Sequence, residues 1–286
     1  KGVKAVGHVV MWANVLLMGA IFSQVALRYL FNQNYPKLDE VQWHFYGLVT
    51  MIGISYALVT DSHVRVDVLH MQLSRRTQRL IEVLGILTLL TPFIYLMIDQ
   101  GYDYFYDSFR VNESSDSPTG LPARWAFKAV IPISFVLLAL AATARLIHDA
   151  HALWVAPKEE QEGLGLRRVF LVLAIFAAVM VALTFLVETT EEKLVIAMFL
   201  SFIALLFTGY PVAWVLAGVG VAYCGLAYLF DNDLMLWTGL ESTFTGLDYL
   251  TLGATVNRVY ATMSYAALVA LPMFIFMGLM LDESGV

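Results

Sequence analysis

The chain has few charged residues and almost no cysteine. Asp, Glu, Lys and Arg make up 14% of its 286 residues, whereas soluble domains carry about 25%. Its net charge of −6 provides no basic face, so we expect no nucleic acid among its partners. The single cysteine, Cys224, leaves no disulfide framework or zinc cluster within the chain. Hydrophobic residues are abundant instead, at 59% of the sequence, and this composition excludes an ordinary soluble enzyme.

The hydrophobic residues fall into eight blocks that are long enough, or nearly long enough, to cross a bilayer. A spanning helix needs about 20 mostly apolar residues, and barrel strands would instead alternate apolar and polar side chains. We therefore predict an all-α, polytopic integral membrane protein with about eight membrane-inserted helical segments. The blocks are Val6–Leu27, Val41–Thr60, Leu80–Ile98, Ala126–Ile147, Val169–Val187, Leu194–Thr208, Pro211–Phe230 and Ala266–Leu281. The sixth and eighth are short, so we expect them to be tilted, re-entrant or half-helices.

The basic residues predict the orientation of the chain. With a cytoplasmic N-terminus, ten of the 17 Lys and Arg side chains would lie inside and seven outside. The inside charges gather in two short loops, and basic residues in short loops are typical of the cytoplasmic side. We therefore predict a cytoplasmic N-terminus.

A polar linker, Pro157–Arg168, divides the chain after its first four blocks. Because four such helices form a natural bundle, we predict a four-helix membrane unit over residues 1–156. A linker with a connecting transmembrane helix is predicted over residues 157–191, and a further membrane part over residues 192–286. A second polar stretch, Asp99–Trp125, contains a turn-rich cluster and is predicted to lie outside the membrane.

The loop after the second block, Asp61–His70, combines charged residues with histidine and alternating valines. The alternation predicts a short extended piece, and Ser74 is predicted to cap the helix that follows. We interpret this loop as a solvated anchor at the headgroups, with the arginines after it near anionic lipid. A metal site made from His63, Asp67 and His70 is an alternative, although their spacing matches no strong ligand pattern.

Histidines at the ends of blocks leave a haem-binding membrane anchor as a further alternative. Haem between helices needs two histidines at the same depth. Only His8 with His148 or His151 offers that combination, since His44 is predicted to lie near the other face.

Ionisable or polar residues inside the blocks are few. Asn14 and Gln24 lie in the first block, Glu82 lies at the start of the third block, and Asp99 lies at its end. Charged groups deep in a bilayer are costly and usually functional, so their scarcity predicts that residues 1–230 form a scaffold and not an ion pathway.

Proline interrupts the later blocks. Pro211 is predicted to begin a helix, where its missing N–H costs nothing, whereas Pro272 either kinks the last block or begins it. Proline-interrupted helices point to the moving part of a transporter; plain packing with a kink is the alternative.

An ordered set of motifs in the first four blocks resembles the small Q-type subunit (DctQ) of tripartite ATP-independent periplasmic (TRAP) transporters. In chain order the set is Asp39-Glu40, His63–Leu69, Leu73–Arg76, Glu113-Ser114-Ser115, Gly120–Trp125, Lys128 and Pro132. The Glu-Ser-Ser and Gly-Leu-Pro pair is most similar to the mannitol/chloroaromatic branch.

Residues from about Glu192 resemble the opening of the large M-type subunit (DctM). Gly209–Ala213 matches its early Gly-x-Pro-Val-Ala pattern, and Leu271–Gly278 with Glu283–Val286 matches its later proline and Ser-Gly pattern. The block Val169–Val187 would then be the extra helix found where the two parts are fused. The chain is expected to be a fused permease, truncated in the M-type part.

The resemblance implies a permease component of the bacterial inner membrane, not an enzyme. It implies sodium-driven, ATP-independent uptake of an organic acid delivered by a periplasmic binding protein, with an M-type subunit moving as an elevator against a Q-type scaffold. The implied partners are that binding protein, the remainder of the M-type subunit and membrane lipids. Sodium is the implied coupling ion, and no cofactor is expected in this chain. The alternative is a haem-binding or purely structural anchor subunit of another complex.

Residues that bind sodium and substrate are expected beyond Val286, so no catalytic, metal-binding or substrate-binding residue is assigned. Arg65 and Asp67 are predicted to fix the loop after the second block, and Asp99–Trp125 is predicted to be a structural cap or a docking surface for the binding protein. The structural and interface candidates are Glu40, Arg65, Asp67, Glu113, Gly120, Pro122, Trp125, Lys128, Gly209, Pro211 and Pro272.

Overall fold

The computed structural model describes residues 2–66, 70–155, 189–232, 245–246 and 249–285, and the single positions 171, 178 and 182. Helices dominate these residues, which confirms the all-α prediction for them. In chain order they are α1 (Gly2–Met11), α2 (Ala13–Leu30), α3 (Pro36–Thr60), α4 (Arg75–Gly85), α5 (Thr91–Arg110), α6 (Arg124–Lys128), α7 (Val130–Val155), α8 (Thr190–Phe207), α9 (Val212–Asp231), α10 (Tyr249–Leu252), α11 (Ala254–Met263), α12 (Ala266–Val269) and α13 (Leu271–Ser284). A π-helical turn, Ile86–Leu90, joins α4 to α5.

Six stretches of the described residues are long and apolar enough to cross a membrane. They are Gly2–Leu30, Pro36–Thr60, Arg75–Arg110, Arg124–Val155, Val212–Asp231 and Ala266–Ser284. The predicted count of about eight is therefore not confirmed. The block Val169–Val187 and the linker Pro157–Arg168 lie outside the described residues, apart from three positions in the block. The block Leu194–Thr208 is helical in α8, whose first turn carries Glu191 and Glu192.

The third span extends further than the hydrophobic block that predicted it. α5 continues to Arg110, so the first part of the predicted polar stretch is helical. Asp103 and Asp107 are exposed, while Gly101 and Ser108 are buried. The polar residues therefore follow the helical repeat, and block hydropathy alone does not detect such an amphipathic end.

The helix ends follow the capping chemistry of the sequence. The Ser74 hydroxyl accepts a hydrogen bond from the Thr77 N–H at 3.3 Å, as predicted for the start of α4. Pro272 lies in the first turn of α13, after α12 has ended at Val269. Of the two alternatives left open, the proline thus begins a helix and does not kink one.

The described residues divide into two compact units. Unit 1 comprises Lys1–Thr60, Met97–Ala141 and Ala254–Val286, and unit 2 comprises Asp61–Leu96 and Ala142–Gly253. The predicted three-part division along the chain is a different description, and it stays a prediction.

Unit 1 is held by close contacts of α3 with α6, α7 and α11. The Phe127 ring and the Met263 side chain lie directly against the Gly47 backbone. The Ser55 hydroxyl, which is fully buried, donates to the Ser134 carbonyl at 3.3 Å. These contacts place one end of α3 beside the segment that precedes α6.

Unit 2 packs α9 against α4 and the π-helical turn. Gly218 lies against Leu89, and the Tyr210 ring lies against Gly85. The turn occurs just before Pro92, which has no N–H to continue the α-helical pattern, and the Thr91 N–H bonds to the Ile86 carbonyl. The packing brings the start of α9 to the loop that precedes α4.

Candidate functional site

Two clusters of polar side chains stand out, one in each unit. The Glu40 cluster, in unit 1, contains Glu40, Glu113, Ser115, Gly120, Leu121, Arg124, Lys128 and Tyr260. The Arg65 cluster, in unit 2, contains Asp61, Arg65, Glu82, Arg145 and Asp149.

Glu40 is a buried carboxylate in the first half of α3, with a relative exposure of 8%. One of its oxygens accepts a hydrogen bond from the Ser115 hydroxyl, and the other accepts from the Leu121 N–H at 2.6 Å. Such charge-assisted bonds offset the cost of burying the carboxylate. Glu40 therefore fastens the segment between α5 and α6 to α3.

Gly120 is the residue that makes this arrangement fit. A Cβ placed on it would collide with the Glu40 carboxylate and the Ser115 side chain. A glycine is required because the backbone approaches the carboxylate so closely. Neighbouring Pro122 is exposed, and Ala123 adopts a left-handed conformation with φ of 59° where the chain turns into α6.

Glu113 holds the same segment to α6. Its carboxylate accepts a hydrogen bond from the Lys128 ammonium at 2.5 Å and lies 3.6 Å from the Arg124 guanidinium. Its backbone carbonyl accepts from the Arg124 N–H at 2.8 Å. Burial alone would raise the pKa of Glu113, but hydrogen bonding to Lys128 and the nearby positive charges lower it overall.

Aromatic rings surround the cations of the cluster. The Arg124 side chain donates to the Tyr260 hydroxyl at 2.7 Å and also pairs with Asp116 at 2.7 Å. The Lys128 ammonium lies 4.2 Å from the centre of the Tyr104 ring, a cation–π distance. Trp125 donates to the Asn112 side chain at 3.2 Å, which ties the turn after α5 to α6.

The Arg65 cluster is a network of opposite charges. Arg65 lies 2.5 Å from Glu82 and 2.6 Å from Asp61. Arg145, on α7, reaches the same two carboxylates at 3.4 Å and 3.1 Å, and a third, Asp149, at 3.2 Å. Glu82 and Asp149 are only 6% and 7% exposed. Pairing of this kind is what allows buried charges to persist in a helical interior.

The loop that carries Arg65 also binds the start of α9 through the backbone. The Val212 N–H donates to the Val64 carbonyl at 3.0 Å, and Arg65 and Pro211 form an isolated antiparallel bridge. Gly209 has φ of +91° and lies against the His70 ring, so a side chain there would be strained and crowded. The predicted extended piece is thus confirmed at Val64 and Arg65.

Tyr210 shares this environment. Burial, with the nearby Glu82 charge, raises the pKa of Tyr210 to about 12. The phenol is therefore neutral at physiological pH and serves as a packing surface for Gly85.

The histidine alternatives receive no support from a ligand cluster. Among the described residues, no three His, Cys, Asp or Glu side chains are grouped to hold a metal ion. Asp67, predicted as a partner of both Arg65 and this metal site, lies outside the described residues. His8 bonds to the Lys4 carbonyl at 2.7 Å and His148 to Asp149 at 3.1 Å.

Sequence reasoning missed four members of the clusters. Glu82 was predicted only as an isolated polar residue in a block, and Arg145, Asp149 and Tyr260 were not singled out. Opposite charges near the ends of two hydrophobic blocks were the available signal for Glu82 and Arg145. Tyr260 is distant in sequence from its partners, so no local pattern could have found it.

Comparison with known families identifies a domain within the chain. Residues 17–152 match the DctQ component of the tripartite ATP-independent periplasmic transporters. These residues form a DctQ domain. The DctQ domain runs from within α2 to within α7, and it includes all of the Arg65 cluster and all of the Glu40 cluster except Tyr260. No curated protein matches the chain.

The match identifies residues 17–152 as a DctQ component, which belongs to a transport family and not to an enzyme family. Together with the six apolar helices, it identifies a multi-pass membrane protein. Gly209, Pro211 and Pro272 lie outside the DctQ domain.

Proposed function

We propose that the DctQ domain is the scaffold of a sodium-driven uptake system for organic carboxylates in the bacterial inner membrane. A periplasmic binding protein delivers the substrate, and an M-type part moves as an elevator against the scaffold. In this proposal the N-terminus is cytoplasmic and residues from 192 onward belong to the M-type part. The match of residues 17–152 to DctQ is the observation that carries the proposal.

The pairing of charges supports a scaffold and not an ion pathway within the DctQ domain. Glu82, Arg145 and Asp149 lie in membrane-spanning helices, yet each has an oppositely charged partner within hydrogen-bonding or ion-pairing distance. An ion pathway needs ionisable groups that face a water-filled route. Groups already engaged with one another stabilise helix positions instead.

The predicted site residues receive structural roles in this proposal. Glu40, Glu113, Gly120 and Lys128 fix the segment between α5 and α6, and Pro122 and Trp125 shape its exit into α6. Arg65, with Asp67, fixes the loop before α4. Gly209 and Pro211 set the start of α9, and Pro272 sets the start of α13. The segment between α5 and α6 is also our candidate docking surface for the binding protein.

The fusion with an M-type part rests on the motifs at Gly209–Ala213 and Leu271–Gly278. The backbone bonds of Val64 to Val212 and the packing of Gly218 on Leu89 support it, because they join the DctQ domain to the later segment within unit 2. The mannitol/chloroaromatic branch remains part of the proposal, on the Glu-Ser-Ser and Gly-Leu-Pro motifs.

Purification of the tagged chain from membranes tests the proposal. We expect an M-type subunit or segment and a periplasmic binding protein to be recovered with it. Proteoliposomes containing the recovered complex should accumulate a labelled organic acid only with the binding protein present and an inward sodium gradient. Uptake driven equally well by a potassium gradient would contradict sodium coupling, and recovery of neither partner would contradict the transport role.

The haem-binding anchor is tested on the same preparation. A visible absorption spectrum with a Soret band would favour it over the transporter scaffold. Substituting His8, or whichever of His148 and His151 pairs with it, should then remove that band, because these are the predicted axial ligands.

A further inference from the structure

A polar cavity of about 600 Å³ lies between the loop before α4 and the start of α4, within unit 2. Its polar lining includes Arg65, Arg75, His63, His70 and Gln78. This volume lies within the range of about 300–1,000 Å³ that is typical of small-molecule sites. Arg65 and Gln78 already donate to carboxylates and backbone carbonyls of the protein. Arg75 is therefore the charged donor that the described lining leaves for an anion.

The described lining of the cavity includes one arginine, Arg75, that is not paired with a carboxylate among the described residues. Asp61 also lines it, but Asp61 is paired with Arg65 at 2.6 Å and Arg145 at 3.1 Å, so its charge is compensated. Arg75 is exposed and has no ion pair among the described residues. It also stands at the first position of α4, where free backbone N–H groups and the helix dipole favour negative charge.

The position of the cavity relates it to the membrane surface. One span ends at Thr60, just before the loop, and the next begins at Arg75. Met71, which lines the cavity, is 75% exposed, and Val64 in the same loop is 79% exposed. Exposed apolar side chains between two membrane spans are suited to contact acyl chains at the lipid interface.

We propose that this cavity binds the phosphate of an anionic phospholipid, with Arg75 as its charged contact and Met71 against the acyl chain. Inorganic phosphate shares the recognised group but not the acyl chain, so it binds the same place more weakly. The site is separate from the proposed transport role, and it holds whether or not the chain transports a carboxylate.

The site can be tested with the purified full chain in neutral detergent, titrated with phosphatidylglycerol and followed by native mass spectrometry. Isolated lipid molecules create no surface potential, so only direct contacts are measured. We expect Arg75→Gln to weaken phosphatidylglycerol binding about tenfold or more, the contribution typical of a hydrogen bond to a charged group. Arg76→Gln is the matched control, because Arg76 is also exposed on the same turn but does not line the cavity; its effect should stay below twofold.

Two further measurements distinguish a phospholipid from inorganic phosphate as the ligand. Met71→Ser should weaken phosphatidylglycerol binding and leave binding of inorganic phosphate unchanged. Phosphatidylcholine, which has no net charge, should bind the native chain at least fivefold more weakly than phosphatidylglycerol. If Arg75→Gln unfolds the chain, Arg75→Lys keeps the charge and should retain most of the binding.

Several outcomes would overturn the proposal. Equal losses in Arg75→Gln and Arg76→Gln would mean diffuse attraction and no built site. Equal affinity for phosphatidylcholine and phosphatidylglycerol would exclude recognition of an anion. Inorganic phosphate binding as tightly as the lipid, with no effect of Met71→Ser, would exclude a lipid as the ligand.

Discussion

The Glu40 and Arg65 clusters both fasten a connecting segment to membrane helices, but they do so with different chemistry. Glu40 is satisfied by a hydroxyl and a backbone N–H, which are neutral donors. Glu82, in the Arg65 cluster, is satisfied by two guanidinium groups that also share Asp61. Three carboxylates of the Arg65 cluster share two guanidinium groups. Removing a guanidinium group therefore leaves buried carboxylates without full compensation, whereas the Glu40 cluster depends on close fit.

The largest effect is expected when a guanidinium group of the Arg65 cluster is removed. Arg145→Gln takes the guanidinium partner away from the buried Asp149 and leaves Glu82 with Arg65 alone. Loss of one partner of a buried ion pair costs about 3–5 kcal/mol, measured as the free energy of unfolding in detergent. Glu192→Gln, on the exposed first turn of α8, is the control and should change stability little. A loss no larger than the control would show that the network does not stabilise the fold.

The close fit of the Glu40 cluster is tested by adding a single methyl group. Gly120→Ala places a Cβ against Glu40 and Ser115, and crowding of this kind costs about 1–3 kcal/mol. Gly220→Ala is the matched control, because a Cβ there meets nothing within 4 Å and alanine favours a helix by up to about 1 kcal/mol. The unfolding temperature should therefore fall in Gly120→Ala and rise in Gly220→Ala. A rise in Gly120→Ala would contradict the close approach of the Gly120 backbone to Glu40.

A smaller effect is expected from the cap of α4, which lies next to the Arg65 loop. Ser74→Ala removes the acceptor for the Thr77 N–H, and loss of such a cap costs about 1 kcal/mol. Ser201→Ala is a suitable control, since its hydroxyl bonds only within α8. If Ser74→Ala equals Arg145→Gln in effect, the cap and not the charge network fixes this loop.

The smallest effect on stability is expected from protonation of Glu113 at low pH. Because the pKa of Glu113 is lowered in the folded protein, its contribution to stability is complete above its ordinary pKa of 4.5 and disappears as the pH falls through the lowered value. The pair with Lys128 is partly exposed, so the contribution is about 0.2–1 kcal/mol. The difference in unfolding temperature between the native chain and Glu113→Gln should therefore be present at pH 7 and vanish in strong acid.

The control for this pH dependence is Glu283→Gln, whose side chain is exposed on α13. It should unfold like the native chain throughout the acid titration. A difference between the native chain and Glu113→Gln that grows as the pH falls would contradict the lowered pKa.

Much of the fold could be predicted because long apolar blocks have few alternatives to helices in lipid. The Ser74 cap was also predictable, because helix capping depends on residues that are close in sequence. The amphipathic end of α5 was not, since its aspartates mask a helix when only hydropathy is read. The count of about eight is not confirmed, because six spans are found among the described residues and the block Val169–Val187 lies almost wholly outside them.

The candidate site was only partly predictable. Local motifs identified Glu40, Arg65, Glu113, Gly120 and Lys128, all of which lie in the two clusters. The partners of these residues are far away in sequence: Glu40 meets Leu121, and Arg124 meets Tyr260. A single sequence carries no signal for such pairs beyond complementary charge, so the contacts themselves required the structure.

The backbone bond between Val64 and Val212 has a consequence for how this junction tolerates mutation. A main-chain donor and acceptor recognise no side chain, so position 64 can vary widely in size and polarity while the bond persists. Proline at position 212 is different, because it would remove the N–H itself. In a deep mutational scan, positions 64 and 212 should accept most substitutions, and proline at position 212 should be the exception. Position 209 should accept almost no substitution, because its glycine has a positive φ.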